Sequence, residues 1–461
     1  MFAMETSKES KTLQKPPTPA EKHWLMGHAK GMMGDMLAYL KSVENECGGI
    51  AYLTAPVEAG RMYILFDADA IKYVLIDNQK NYRKGDFTTI LKPLFGNGLL
   101  TSQGEFWKKQ RRLMQPVFHK ANVFEMMHGI GECVDDMLQT WDQKYRDGDE
   151  VNLTEEFNHL ALRIVAKALF KSEIEEDLPH VADKLSYVLN RIMNRFKNPI
   201  VYADWIPTPA NRKEKDRIKE LFAVIEKLIA RKQSGEIPHQ NDILDMLLAI
   251  EDEENGEKMP INQVRDELMT IMLAGHETTA QAMAFMMYLL TENQEISQKT
   301  DQYIRDQSLT GDPSEIRNAD YIRQVAQETL RLCPPAFFYQ RQAIAEDTIN
   351  GYHVPAGMNI AIPIFVVHRM EKYWENGDAF DPDRFEKEQF KKQHKYAYLP
   401  FGGGPSLCIG EQFAISEMMI ALIKIQRKFT FKRNPDYQME FLPEMSLKSK
   451  DPIALKIYRK M

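Results

Sequence analysis

Between about residues 100 and 340, apolar positions recur at spacings of three and four, as in FNHLALRIVAKALF and IKELFAVIEKLIARK, the period of helices that bury one face. Two interruptions divide this region, one around Pro199–Arg212 and a polar one around Ser234–Asp242. The longest unbroken candidate contains LMTIMLAGHETTAQAMAFMMYLL. With Asn262 after Pro260 as the expected N-cap, it predicts a helix running to about Asn293, roughly 45 Å long at about 1.5 Å per residue. Short runs rich in β-branched and aromatic residues, Ala51–Thr54 and Arg61–Phe66, read as strands. After residue 340, DTINGYHVPAG reads as a hairpin, IAIPIFVV as a buried strand or extended run, and Trp374–Pro400 as irregular coil. A last helix is expected from about Gly410 to Arg427. The pattern predicts a mainly α protein with a small β-rich part.

The first 22 residues carry charges throughout and a KPPTP segment, and read as a flexible lead, with residues 23–461 forming one domain. They contain no continuous apolar core, and AMAFMMYLL and IAIPIFVV are too short to span a bilayer, so a soluble protein without its own membrane anchor is expected. Lys and Arg number 59 against 66 Asp and Glu, and no basic block is present, which argues against a nucleic-acid partner. The four cysteines, Cys47, Cys133, Cys333 and Cys408, are too widely spaced for metal knuckles or a disulfide framework, and a reducing cytoplasm is the simpler setting.

Four segments carry chemistry. In FGGGPSLCIG, Phe401 to Gly410, a glycine-rich turn presents Cys408 just before the last helix, where backbone N–H groups and the helix N-terminus should lower the thiol pKa. Phe401, Gly402, Gly404, Cys408 and Gly410 resemble the heme-binding signature of the cytochromes P450. That resemblance implies the P450 fold, heme b (iron protoporphyrin IX) as cofactor, and Cys408 as the thiolate ligand of its iron. Ser406 stands where the family usually has Arg or His toward a heme propionate, which predicts somewhat easier heme loss.

In AGHETT, Gly275 is a poor helix residue and neighbouring threonine hydroxyls can compete for carbonyls, so a local bulge is expected; Ala274 and Thr278 share a face. The segment resembles the family's oxygen groove, which implies Glu277 as the acid of a proton relay and Thr278 as the hydroxyl beside bound O2. His276 should face away and be structural. In ETLR, Glu328 and Arg331 can pair on one helical face, and the resemblance adds Arg384 of DPDRF as third member of a structural triad. In WKKQR, Trp107 and Arg111 lie four apart. The resemblance makes these two and Arg341 propionate partners; the remaining basic residues of that helix read either as a docking surface for an acidic electron donor or as a merely solvated charged face.

The implied activity is a heme-thiolate monooxygenase that activates O2 and hydroxylates a small organic substrate with an apolar chain or ring. Electrons are expected ultimately from NAD(P)H, through a ferredoxin or flavodoxin and its reductase, to a cytoplasmic monomer. Oxidative O-demethylation of a methoxylated molecule is an alternative, and a non-catalytic heme sensor or carrier is another, which Glu277 and Thr278 disfavour. Phe87, Phe95, Phe196 and Tyr202 fall in the segments expected to set selectivity.

Overall fold

A computed structural model describes residues 14–85, 87–171, 178–197, 206–252, 254 and 256–460. They form two compact units, Met1–Gly85 with Phe338–Val367, and Asp86–Phe337 with His368–Met461.

The smaller unit is built on a five-stranded sheet. The antiparallel pair Ile50–Leu53 and Met62–Leu65 is joined in parallel by Asn359–Ile362, which pairs with Tyr339–Ala343 and through it Tyr82–Lys84. Ile64, Leu65, Ile360, Ala361 and Ile362 are fully buried, as alternating and continuous apolar runs require. IAIPIFVV is strand only as far as Ile362. Pro363 cannot extend the hydrogen-bond ladder, and Ile364–Val367 turns into a short helix. The lead is held before residue 22: Pro17 O accepts from Tyr52 N–H at 2.8 Å, and Gln14 O from His353 N–H at 2.9 Å.

The larger unit is helical. Its central helix, Ile261–Glu292, is capped by Pro260 and not by Asn262, which lies inside the first turn. At about 1.5 Å per residue its 32 residues extend roughly 48 Å. Most side chains from Leu268 to Leu290 are buried, against the helices Leu153–Phe170, Asp320–Leu332 and Glu411–Lys428. Five methionines of this helix, Met269, Met272, Met283, Met286 and Met287, fill the seams, a role their unbranched side chains suit. Phe95 is also core; Tyr202 and the side chains of Phe87 and Phe196 lie outside the described residues. A hairpin, Phe441–Pro443 against Leu447–Ser449, follows the last helix.

Candidate functional site

The loop before the helix Glu411–Lys428 is a tight reversal. Gly402 and Gly404 take φ of 77° and 70°, the left-handed region that glycine alone enters freely. Leu407 N–H donates to Gly404 O at 3.0 Å and Cys408 N–H to Phe401 O at 2.9 Å, so the chain doubles back and presents the cysteine at its tip. Gly410 N–H donates to the Cys408 sulfur. A Cβ on Gly410 would touch that sulfur at 4.0 Å. Cys408 is accessible, yet set deeply enough that desolvation pushes its thiol pKa up, outweighing the Gly410 N–H and the Arg111 charge. The lowering expected from the helix N-terminus is therefore present but not dominant.

Trp107 and Arg111 lie on the helix Gly104–Met114. With Lys108, Arg112 and Pro405 they line a cavity of about 900 Å³. Lys109 and Arg112 both reach Asp252, at 2.7 and 3.0 Å, and Arg112 also pairs with Glu254; the surface expected to dock an acidic donor is partly neutralised. Arg111 is different. Among the described residues its guanidinium has no carboxylate or carbonyl partner, burial lowers its pKa, and Cys408 is the neighbour that raises it. Arg341, in the smaller unit, bonds through its guanidinium to Gln340 O at 2.9 Å and, among the described residues, to no carboxylate; desolvation lowers its pKa too. Ser406 ends a short 3-10 turn and brings no charge. Within the larger unit, a presented thiol and the Arg111 guanidinium, which has no protein anion among the described residues, form a donor set that fits a metal-bearing anion.

The central helix carries an open strip in an otherwise buried surface. Ala274 is exposed and Ile271, Gly275 and Thr278 are partly so, while Met272, Leu273, His276, Thr279 and Ala280 are buried. Thr278 Oγ1 donates to Ala274 O at 2.6 Å, and the helix continues through this point without the expected bulge. The hydroxyl adds its bond to the carbonyl and leaves the backbone ladder intact. Gly275 permits close helix packing, since a Cβ there would stand 3.3 Å from Val165 Cγ2. His276 turns to the helix Leu153–Phe170, bonded to the Asn158 backbone and held neutral by burial. Glu277 is buried, with Oε1 accepting from Ser446 Oγ at 2.7 Å and pairing with Lys448 Nζ at 2.7 Å. Sequence reasoning missed both of these residues; their only signal is a polar pair two apart where the chain enters a short strand.

Glu328, Arg331 and Arg384 come together. Arg331 forks onto the Glu328 carboxylate at 2.6 and 2.8 Å, both fully buried, and Arg384 Nε lies 3.5 Å away from it. Arg331 also donates to the carbonyls of His368, Gly377 and Ala379, and Glu328 accepts Asp381 N–H at 2.8 Å. Irregular chain leading toward the cysteine loop is thus tied to one guanidinium.

A family model described as Cytochrome P450 matches residues 16–457. The chain is 30% identical over 414 residues to Protein LUTEIN DEFICIENT 5, chloroplastic, of Arabidopsis thaliana, covering 84% of this chain and 68% of that one. It is 28% identical over 446 residues to Cyclooctatin synthase of Streptomyces melanosporofaciens, covering 93% and 95%. It is 26% identical over 439 residues to Cyclooctat-9-en-7-ol 5-monooxygenase of the same organism, covering 92% and 93%. Among solved structures, the heme domain of cytochrome P450DA superposes with a TM-score of 0.88 at 25% identity, covering 97% of this chain and 98% of that one.

Proposed function

Because this chain belongs to the cytochrome P450 family and is a monooxygenase of that family, we propose that it hydroxylates an apolar carbocyclic or chain substrate at the open strip of the central helix. The observation that carries the reading is the presentation of Cys408: a deep, accessible sulfur at a loop tip, receiving Gly410 N–H and facing the Arg111 charge. Heme, bound there, supplies reductive activation of O2, which no side chain can perform.

The residues of the chain have the remaining tasks. Cys408 holds the metal, and the Gly410 N–H tempers its charge. Arg111 and Trp107 bind the carboxylates, with Ser406 contributing no cation. Thr278 orients a hydroxyl beside the reacting oxygen, and Glu277 supplies protons. Ala274 and Gly275 keep that side of the helix low, so an apolar substrate can approach. Support for the substrate class comes from two relatives, one of them named as a 5-monooxygenase of cyclooctat-9-en-7-ol. Electrons come from NAD(P)H through a ferredoxin or flavodoxin and its reductase. A reducing, cytoplasmic location suits four unpaired cysteines. Among the described residues no helix is long and apolar enough to cross a membrane.

The test is spectroscopic. Purified protein is expected to give the ferrous carbonyl spectrum of a thiolate-ligated pigment, lost in Cys408→Ala. A screen of cyclic and linear hydrocarbons and their alcohols is expected to shift the iron spin state of the parent. A nitrogen-ligated spectrum, or a parent spectrum retained by Cys408→Ala, refutes the proposal.

A further inference from the structure

Glu277 belongs to the central helix, but its carboxylate is held from elsewhere. Ser446 Oγ–H and Lys448 Nζ converge on the same oxygen, Oε1, each at 2.7 Å. Both side chains come from the hairpin Phe441–Ser449, which is fixed at its far strand by Leu447 N–H donating to Pro335 O at 2.9 Å. The charged and titratable groups around Glu277 are few. Lys448 lies against it, Glu444 stands 3.8 Å from Lys448, and neutral His276 and, beyond it, His159 lie on the side of the helix Leu153–Phe170. Lys448 is thus the only cation paired with Glu277 among the described residues. It is also the member of the cluster nearest to water: its side chain is 27% exposed, that of Glu277 10%, and Ser446 is buried.

We infer that Lys448 is a positioning residue for the acid of the relay, and that the hairpin, through Lys448 and Ser446, sets the direction of the Glu277 carboxylate. The inference rests on the reading of Glu277 as proton donor given above. An ammonium 2.7 Å from a carboxylate oxygen fixes that oxygen in place, leaving Oε2 as the atom that takes up and passes on a proton. Without the ammonium, one of the two groups that hold Oε1 is gone and the carboxyl is free to rotate.

The test uses the heme-loaded full chain with two readouts. The first is infrared spectroscopy at neutral pH, in which the Glu277 band is the one missing from Glu277→Gln. The second is peroxide-driven oxidation of guaiacol across pH, a reaction in which a proton must reach the departing oxygen of hydrogen peroxide. In the parent the band is expected to be narrow, as for a carboxyl held in one orientation. In Lys448→Met it is expected to be shifted and broadened, with guaiacol oxidation down on the order of tenfold, within what a general acid supplies, and its pH profile altered. Lys448→Arg is expected to restore both. Ser446→Ala, which removes no charge, is expected to shift the band slightly; should Lys448→Met fail to fold, a Ser446→Ala band identical to the parent's overturns the inference. Lys448→Met with the parent's band, rate and pH profile, alongside an impaired Glu277→Gln, overturns the inference while leaving the acid reading in place. A Glu277→Gln as fast as the parent at every pH removes the acid reading itself.

Discussion

A Cβ added to Gly98 would stand 2.7 Å from the carbonyl oxygen of Asp266, so the loop before the helix Gly104–Met114 meets the central helix backbone to backbone. The contact is riveted from both sides: Asn97 N–H donates to Asp266 Oδ2 at 2.8 Å and Leu99 N–H to the buried Glu267 at 2.9 Å. Because a carbonyl cannot step aside as a side chain can, Gly98→Ala is expected to destabilise the protein by about 1–3 kcal/mol. Denaturant unfolding measures this, and an unchanged midpoint contradicts it.

Arg111 and Arg112 are adjacent but differ in their partners. Arg112 is neutralised by Asp252 and Glu254, whereas Arg111 has no protein anion among the described residues. Arg111→Leu is expected to speed heme transfer to an acceptor globin by roughly tenfold, the scale of one lost charge-assisted bond, while Arg112→Leu leaves the rate within about twofold. Ser406→Arg adds a cation to the cysteine loop and is expected to slow the transfer; a rate equal to or above the parent's counts against a propionate role for that position.

Burial lowers the His368 pKa from 6.5 to about 3. Its ring is bonded on both sides, Nε2 accepting Leu399 N–H at 2.7 Å and Nδ1–H donating to Arg331 O at 3.0 Å. The folded state binds fewer protons than the unfolded chain between these two pKa values. The neutral ring's stabilising contribution is therefore complete above about pH 6.5 and is lost as pH falls toward 3, by up to about 1.4 kcal/mol per unit. His368→Asn is expected to be less stable at pH 7 but to lose less stability between pH 6.5 and 4.5. Parallel curves for parent and variant would refute this assignment.

Removing half of a buried ion pair strands the other half. Glu328→Gln leaves Arg331 uncompensated at a position fully closed to water, and an expected loss of about 3–5 kcal/mol follows. Arg331→Lys keeps the charge but cannot fork onto the carboxylate and reach three carbonyls together, so it is expected to fall between parent and Glu328→Gln. Thermal unfolding orders the three.

The helical period made the central helix legible in the sequence, because burial of one face leaves a repeating trace, and short β-branched and aromatic runs did the same for the early strands. The cap at Asn262 was not, since Pro260 fixes φ and starts the helix two residues earlier. The division of IAIPIFVV at Pro363 was open to a closer reading of that proline. At the site, Cys408 was visible because glycines at fixed offsets have few other uses. The net upward push on its thiol was not, because desolvation is a property of the assembled surroundings. Ser446 and Lys448 lie some 170 residues from Glu277 in sequence, and no local pattern links positions that only tertiary packing joins.

The five methionines packed along the central helix give it a compliant backing. Thioether side chains change rotamer at low energy and keep their contacts as they do so. Occupants of different outline pressing on Ala274 and Thr278 can then be accommodated by sulfur and methyl groups behind the helix, with its backbone, and the Glu277 carboxylate it carries, staying in place.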